Sequence, residues 1–468
     1  MFGRNGRRES EHQENVGEIV SAIAITHPSW KLWWLALLGT GGLLGLLVIC
    51  LAYLFERGVA VWGNNSFVVW ALDIISYDWW MGIACGALLL SAVFLFHGRR
   101  GALSRLAQAV ALPAGISAGI YPIIHLGRPW FFYWMFAYPN VMNMWPQFRS
   151  PLFWDETDIV GFLTVASIFW FLGMVPDFAV MRDHSEKLLR KRLYAIAALG
   201  WRGEASHWTR WSQSCRLLAL LGVLISINVQ WGSSLMYAVS LEPGWHDTLL
   251  PVDDIINSIF AGAGVIAVVT SMVRVVYPLR RMIDRDELEF LAWVLLALGI
   301  ASAFLYATDF FFTAFGGNSF QRDALVHRLT GSLSWTFWMM VGAAQIPVHV
   351  LWFRRARRSA GTLFVLGLLV MAGVWGDRAM SILGPLHHDF LPSSVHPWHA
   401  TFWSIGTWLG TVGIFLAIYL LFLRYLPVVS IIQARQEARL SGRYADPPAA
   451  KSKRPGGRLR ARVEAYRG

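Results

Sequence analysis

Residues 70–97 read WALDIISYDWWMGIACGALLLSAVFLFH, an apolar run interrupted only near its start by Asp73 and Asp78. A helix rises about 1.5 Å per residue, so about 20 apolar residues cross the roughly 30 Å hydrocarbon core of a bilayer. This stretch is long enough with residues to spare. Nine more runs of the same character lie at about 33–55, 103–125, 156–180, 213–238, 255–277, 288–312, 332–353, 361–384 and 401–424. Glycine and proline punctuate the joins, as in Gly-Arg-Pro at 127–129, Glu-Pro-Gly at 242–244 and Gly-Pro at 384–385. The expected fold is an all-α membrane protein of about ten transmembrane helices. A polar extension at 1–32 would precede the membrane domain at 33–424. The tail at 425–468, rich in Pro, Gly, Ala and basic residues, cannot bury a core and would lie disordered or on anionic lipid.

Composition agrees with that reading. Of 468 residues, 56% are hydrophobic and only 15% charged, which excludes soluble enzymes and DNA-binding folds. The net charge of +11 is no nucleic-acid footprint, because the basic residues cluster between apolar runs instead of forming one stripe. With the N-terminus inside, the inner segments hold 33 of the 40 Lys and Arg and the outer loops five. That asymmetry places both termini in the cytoplasm. Cys50, Cys85 and Cys215 form no CxxC pair, so the chain is not expected to ligate an iron–sulfur cluster. A di-haem cytochrome b would need histidines facing one another at two depths, and too few spans carry one.

The third span ends GISAGIYPIIH (115–125) and the seventh contains GIASAFLYATD (299–309). Gly115-Ile116 aligns with Gly299-Ile300, and His125 with Asp309. Four spans separate the two, so the repeat would be parallel: two four-helix bundles, spans 2–5 (about 70–240) and spans 6–9 (about 255–385), flanked by spans 1 and 10.

Ionisable groups inside spans cost about 2.5–3.5 kcal/mol each on insertion scales, so they need a partner or a purpose. The densest set is on the outer side. His125 closes span 3, Asp155 opens span 4, and Asp73 and Asp78 open span 2, among Trp79, Trp80, Trp130 and Trp154. A quinol site needs acceptors for its hydroxyls, a group that takes a proton and an apolar slot, and this set supplies all three. The same residues also serve as helix caps at a membrane interface, with Asp155 favoured by the helix dipole. A second tier comprises Asp158, one turn beyond Asp155, together with Asp309, Asp377, Arg378 and His349, candidates for a proton path or for structural ion pairs. His97 and His349 sit near inner span ends, where snorkelling accounts for them. His387, His388, His396 and His399 share one outer loop, but their irregular spacing points to a partner-facing loop, and no metal site is assigned.

His125-Leu-Gly-Arg-Pro after an apolar span, followed by Phe-Arg-Ser-Pro-Leu-Phe-Trp-Asp at 148–155 before the next, resembles the polysulfide reductase NrfD-like family of membrane subunits. The length, ten spans and polar N-terminal extension look most like the larger such subunit of bacterial alternative complex III. The resemblance implies a subunit that oxidises menaquinol or ubiquinol near the outer face and binds no haem or iron–sulfur cluster itself. Electrons would pass to a periplasmic iron–sulfur subunit and on to c-type cytochrome subunits, with a second NrfD-like membrane subunit alongside and no nucleic acid. His125 and Asp155 would be catalytic, bonding the quinol hydroxyls and taking protons. Arg128 and Arg149 would orient Asp155 or seat the partner, and Asp78, Trp79, Trp130 and the loop WFFYWMF (130–136) would line the slot or dock the iron–sulfur subunit. A sister complex, such as a molybdopterin reductase, would share the site. A secondary transporter using the same carboxylates is the alternative from another class, but transporters favour inverted repeats and charges at the midplane.

Overall fold

A backbone in lipid has no water to bond, so its N–H and C=O groups pair within the segment and each apolar run folds as a helix. The computed structural model describes residues 30–97, 101–136, 151–277, 283–388, 390 and 395–431. Nine of its helices are long and apolar enough to cross a membrane. In chain order the helices are α1 (Trp30–Arg57), α2 (Leu72–Phe96), α3 (Gly101–His125), α4 (Pro151–Asp183), the short α5 (Leu188–Ala197), α6 (Ala205–Ala238), α7 (Leu250–Val276), α8 (Arg285–Gly316), the short α9 (Ser319–Thr330) and α10 (Ser334–Met340), α11 (Ala360–His387) and α12 (Phe402–Tyr425). There is no strand among the described residues. The N-terminal extension through residue 29, the tail from 432, and Arg149 lie outside the described residues.

The expected eighth span is helical along its length but is not one α-helix. After α10 the chain passes through a π turn at Val341–Gln345 and a 3-10 turn at Pro347–Trp352. Proline has no N–H to donate and its ring crowds the carbonyl four residues back, so the helix widens just ahead of it. The Ile346 N–H accordingly reaches the Val341 carbonyl at 2.9 Å.

α2, α3, α4 and α6 pack in a closed ring, each against the next, and α7, α8, the α10 segment and α11 form a second. The rings join where α2 crosses α7, with α6 on α7 and α11 on α2 to either side. α1 pairs with α12, which leans on α2 and α3. Leu35 and Leu38 of α1 are 71% and 75% exposed, an apolar surface suited to lipid.

The join depends on two glycines. A Cβ on Gly86 would overlap the Ser258 carbonyl of α7, and one on Gly262 would meet Gly86 and Ala87 of α2. The same contacts recur in both rings: Gly222 of α6 rests on Leu88 of α2, and Val370 of α11 rests on Gly264 of α7. Gly86 to Gly262 and Leu88 to Gly264 are the same separation, since 262 − 86 and 264 − 88 are both 176. The end of the bundle where α3 finishes is here the His125 face; the opposite end, with Arg354–Arg358, is the basic face.

Gly86→Ala is expected to destabilise the protein by about 1–3 kcal/mol, the usual penalty for forcing atoms into a filled interior. Gly45→Ala, on α1 with open space around it, should be neutral. Thermal unfolding in detergent checks the pair, and equal midpoints would contradict the crossing.

Candidate functional site

α2 starts with unsatisfied backbone N–H groups, and a carboxylate in that first turn is held by them and by the helix dipole. Asp73 takes this place. One of its oxygens accepts from the Ala71 N–H at 3.1 Å and lies 3.5 Å from the Asn64 amide. The other pairs with Nδ1 of His125, the last residue of α3. The Asp73 side chain is 1% exposed and that of His125 27%, so the carboxylate is sealed behind an imidazole that stays reachable. With Nδ1 bound to Asp73, Nε2 is left facing out as the available nitrogen.

Asp155, in the second turn of α4, is electrostatically coupled to Asp78, Asp158 and Glu156, and to the enclosed phenols of Tyr77 and Tyr237. The buried Tyr77 hydroxyl has no hydrogen-bond partner among the described residues. Tyr77 lies four residues beyond Asp73 and so on the same side of α2. Asp158 accepts from the Asn228 amide at 2.9 Å. His125 and Asp155, expected as a pair, thus hold different positions: the partner of His125 is Asp73, while Asp155 belongs with Asp78 and the two tyrosines.

Several expected residues sit elsewhere. Trp79 is buried and donates its indole N–H to the Met371 carbonyl of α11 at 3.0 Å, which makes it a tie between rings and not an open slot wall. Arg128 is exposed at the start of a 3-10 turn, Pro129–Met135, on which Trp130 is 55% exposed. His349 is exposed in the 3-10 turn toward the basic face and takes the Trp352 indole N–H at 3.2 Å, apart from the other candidates.

The largest polar assembly lies at the join of the rings. Arg378 of α11 stands between Asp78 of α2, 3.3 Å away, and Asp254 of α7, and it also donates to the Ser258 hydroxyl at 2.9 Å. Ser234 donates to Asp254, and Gln230 to Ser258. Beside this group Tyr306 donates to Asp377 at 2.5 Å, and Asn257 lies 2.9 Å from the Tyr306 hydroxyl and 3.0 Å from Asp253. Ser302 donates to Asn257 at 2.6 Å, and Gln345 in the π turn donates to Ser302 at 2.8 Å. Asp253, Asp254, Asn257 and Ser258 are not singled out by sequence, although two adjacent acids followed by Asn-Ser at the head of an apolar run are the available signal. The same holds for Arg105 and Asp177 near the basic face, a buried pair at 2.9 Å.

On the His125 face of the second ring, Arg328 of α9 holds Asp309 at 2.7 Å. Both line a cavity of about 380 Å³ that Asp247 also borders. Burial pushes the Asp247 carboxyl above its ordinary range, opposed by the Leu249 N–H it accepts.

Replacing one member of a buried charge group leaves the others uncompensated at about 3–5 kcal/mol. Arg378→Met should therefore lower stability by that order, and Arg378→Met with Asp254→Asn should recover part of it. A double-mutant cycle by thermal unfolding measures the coupling, and purely additive effects would mean that the two residues do not interact.

Residues 60–383 match the protein family described as "Polysulphide reductase, NrfD". Among curated proteins, the chain is similar to a subunit of the selenate reductase of Mesobacillus selenatarsenatis, 23% identical over 83% of this chain and 92% of the relative. It is also similar to a putative dimethyl sulfoxide reductase membrane subunit of Halobacterium salinarum, 26% identical over 72% of this chain and 75% of the relative. The matched segment runs from the turn before α2 nearly to the end of α11 and so takes in both rings: the chain belongs to the NrfD polysulphide reductase family.

Proposed function

We propose that this chain is the quinol-oxidising membrane subunit of a respiratory oxidoreductase complex, with the His125 face toward the periplasm and the basic face in the cytoplasm. The observation that carries this is the His125–Asp73 pair: a buried carboxylate behind an imidazole whose remaining nitrogen is accessible. Imidazole titrates near neutral pH, and a carboxylate on one nitrogen fixes the tautomer and supports the cation that forms when the other takes a proton. Oxidation of quinol to quinone releases two protons and two electrons. His125 Nε2 accepts the proton of one hydroxyl. The Asp155 carboxylate accepts the proton of the other hydroxyl, beside the Tyr77 hydroxyl, which has no hydrogen-bond partner among the described residues. The electrons leave to an iron–sulfur partner protein docked at the same face, near the exposed aromatic turn at Pro129–Met135. The relatives' names are compatible with this direction, since a reductase consumes electrons that a membrane subunit of the complex would supply.

On this reading menaquinol or ubiquinol is the substrate. Asp377, in the hydrogen-bonded chain that ends at Gln345, and Arg378, in the neighbouring group with Asp78 and Asp254, are the residues for proton movement, with Asp309 nearer the His125 face. The resemblance to alternative complex III brings c-type cytochromes and a second NrfD-like subunit as partners; similarity to the two reductase subunits brings a catalytic reductase subunit instead. Gentle solubilisation, capture of the chain, and mass spectrometry with a haem stain decide between them.

His125→Ala should lower quinol-dependent turnover by about 10²–10⁴, the usual worth of a positioned acid–base group. Asp73→Asn should lower it through the same imidazole, with the complex still assembled. Near-normal turnover in both variants would remove the assignment.

A further inference from the structure

The histidine loop on the His125 face acquires what its own spacing lacks from a helix distant in sequence. Asp323 and His327 are four residues apart on α9 and so share one side of it. His388, the residue after α11, is brought over them: the His327 and His388 rings are 3.9 Å apart between centroids. His388 Nε2 lies 3.7 Å from one Asp323 carboxylate oxygen, and His327 Nδ1 lies 3.7 Å from the other. One ligand atom from each of the three residues falls within 4.8 Å of the other two.

Two further observations point to a ligand here. His388 is 5% exposed, yet its Nε2 has no hydrogen-bond partner among the described residues, a costly condition for a buried polar atom. His327 Nδ1 donates to the Asp323 carbonyl at 3.0 Å, which leaves its Nε2 as the coordinating nitrogen. A backbone carbonyl on the far nitrogen is the usual support of a metal-bound imidazole. Nitrogen and carboxylate donors stand about 2.0–2.2 Å from Zn²⁺, which places neighbouring ligand atoms roughly 3.3–3.5 Å apart in a tetrahedron. His388 Nε2 already stands 3.7 Å from an Asp323 oxygen, close to that spacing, and a turn of the His327 ring within the 4.8 Å cluster completes the set. A cavity of about 50 Å³, lined by His327, His387 and His388 with Gly331 and Ser332, leaves room for a fourth ligand.

We propose that Asp323, His327 and His388 form a site for a transition-metal dication of the Zn²⁺ class. Two imidazoles and one carboxylate select it over Mg²⁺ or Ca²⁺, which take oxygen donors. The ion clips α9 to the end of α11, next to the Arg328–Asp309 pair. This site does not depend on the quinol reading.

The test uses the whole complex in nanodiscs, stripped with a chelator and returned to Zn²⁺ or Co²⁺. Wild type should hold about one equivalent of zinc per chain against a weak competitor, and bound Co²⁺ should show the visible spectrum of low-coordinate nitrogen ligation. Asp323→Asn and His327→Gln, at partly exposed positions that tolerate substitution, should each weaken binding at least tenfold; His396→Gln and His399→Gln should not. Zinc uptake by wild type no greater than by the Asp323→Asn, His327→Gln double variant would overturn the site. Should the variants fail to accumulate, a Co²⁺ titration of wild type without that spectrum would overturn it equally.

Discussion

Arg378 lies between Asp78 and Asp254 where α2, α7 and α11 meet, and at that depth none of the three can be left alone. A guanidinium away from water needs its donors used, and carboxylates there need donors in turn. Asp78, Asp254 and Ser258 meet the cation, Ser234 and Gln230 brace Asp254 and Ser258 from behind, and the group draws on four helices. Such a group forms only if α2 and α7 come close enough for Asp78 and Asp254 to face the same guanidinium. Gly86 and Gly262, eight residues further along each helix, permit that approach. Packing without side chains at the crossing and charge pairing above it are therefore one constraint seen at two heights.

The recurrence of contacts carries over to the charges. Asp78 and Asp254 are themselves 176 positions apart, the separation of the two glycines, so the two rings offer equivalent carboxylates to a single arginine. At the ends of α3 and α8 the equivalence gives way to difference. His125 ends α3 with Asp73 behind it, whereas the aligned residue of α8 is Asp309, closed by Arg328 from α9. An imidazole backed by a carboxylate keeps a nitrogen to offer a substrate; an ion pair has spent its charge. On the proposed reading, acid–base chemistry on the quinol falls to the first ring, while the corresponding carboxylate of the second is held by Arg328.

Hydropathy made the spans legible, because a lipid core imposes length and polarity on every segment that crosses it. His125, Asp155, Asp73 and Asp78 could likewise be placed at one height, since rise per residue fixes depth. Height does not fix angle around the bundle, so which member of that set pairs with His125 was not legible; the structure gives Asp73 of α2. Trp79 misled for a related reason: an aromatic near the interface reads as a slot wall, but α2 is enclosed nearly all round and turns that indole toward α11. Asp253 and Asp254 open their span as any acidic pair at a helix start would, and nothing in their spacing sets them apart. α9 is short and polar and gives no apolar periodicity, so the partners it supplies to Asp309 and His388 were invisible. The signal for the break after α10 is Pro347, which removes a donor, although the apolar run at 332–353 reads as one span.

That break bears on how far polar groups reach into the molecule. The π turn that Pro347 requires places Gln345 against Ser302, and there the hydrogen-bonded chain from Asp253 through Asn257 ends. Along α7, Ser258 is followed by an apolar stretch until Thr270 and Ser271, whose buried hydroxyls have no partner among the described residues. Thr270 lies twelve positions along the helix from Ser258, about 18 Å at 1.5 Å per residue. A relay entering from the His125 face thus reaches the middle of the second ring and meets apolar packing before polar groups resume toward the basic face. If quinol is oxidised at the His125 face as proposed, the protons released there must not leak to the other side, and the interval of Ile, Phe, Ala, Gly and Val between Ser258 and Thr270 is apolar as such a barrier along α7 would need to be.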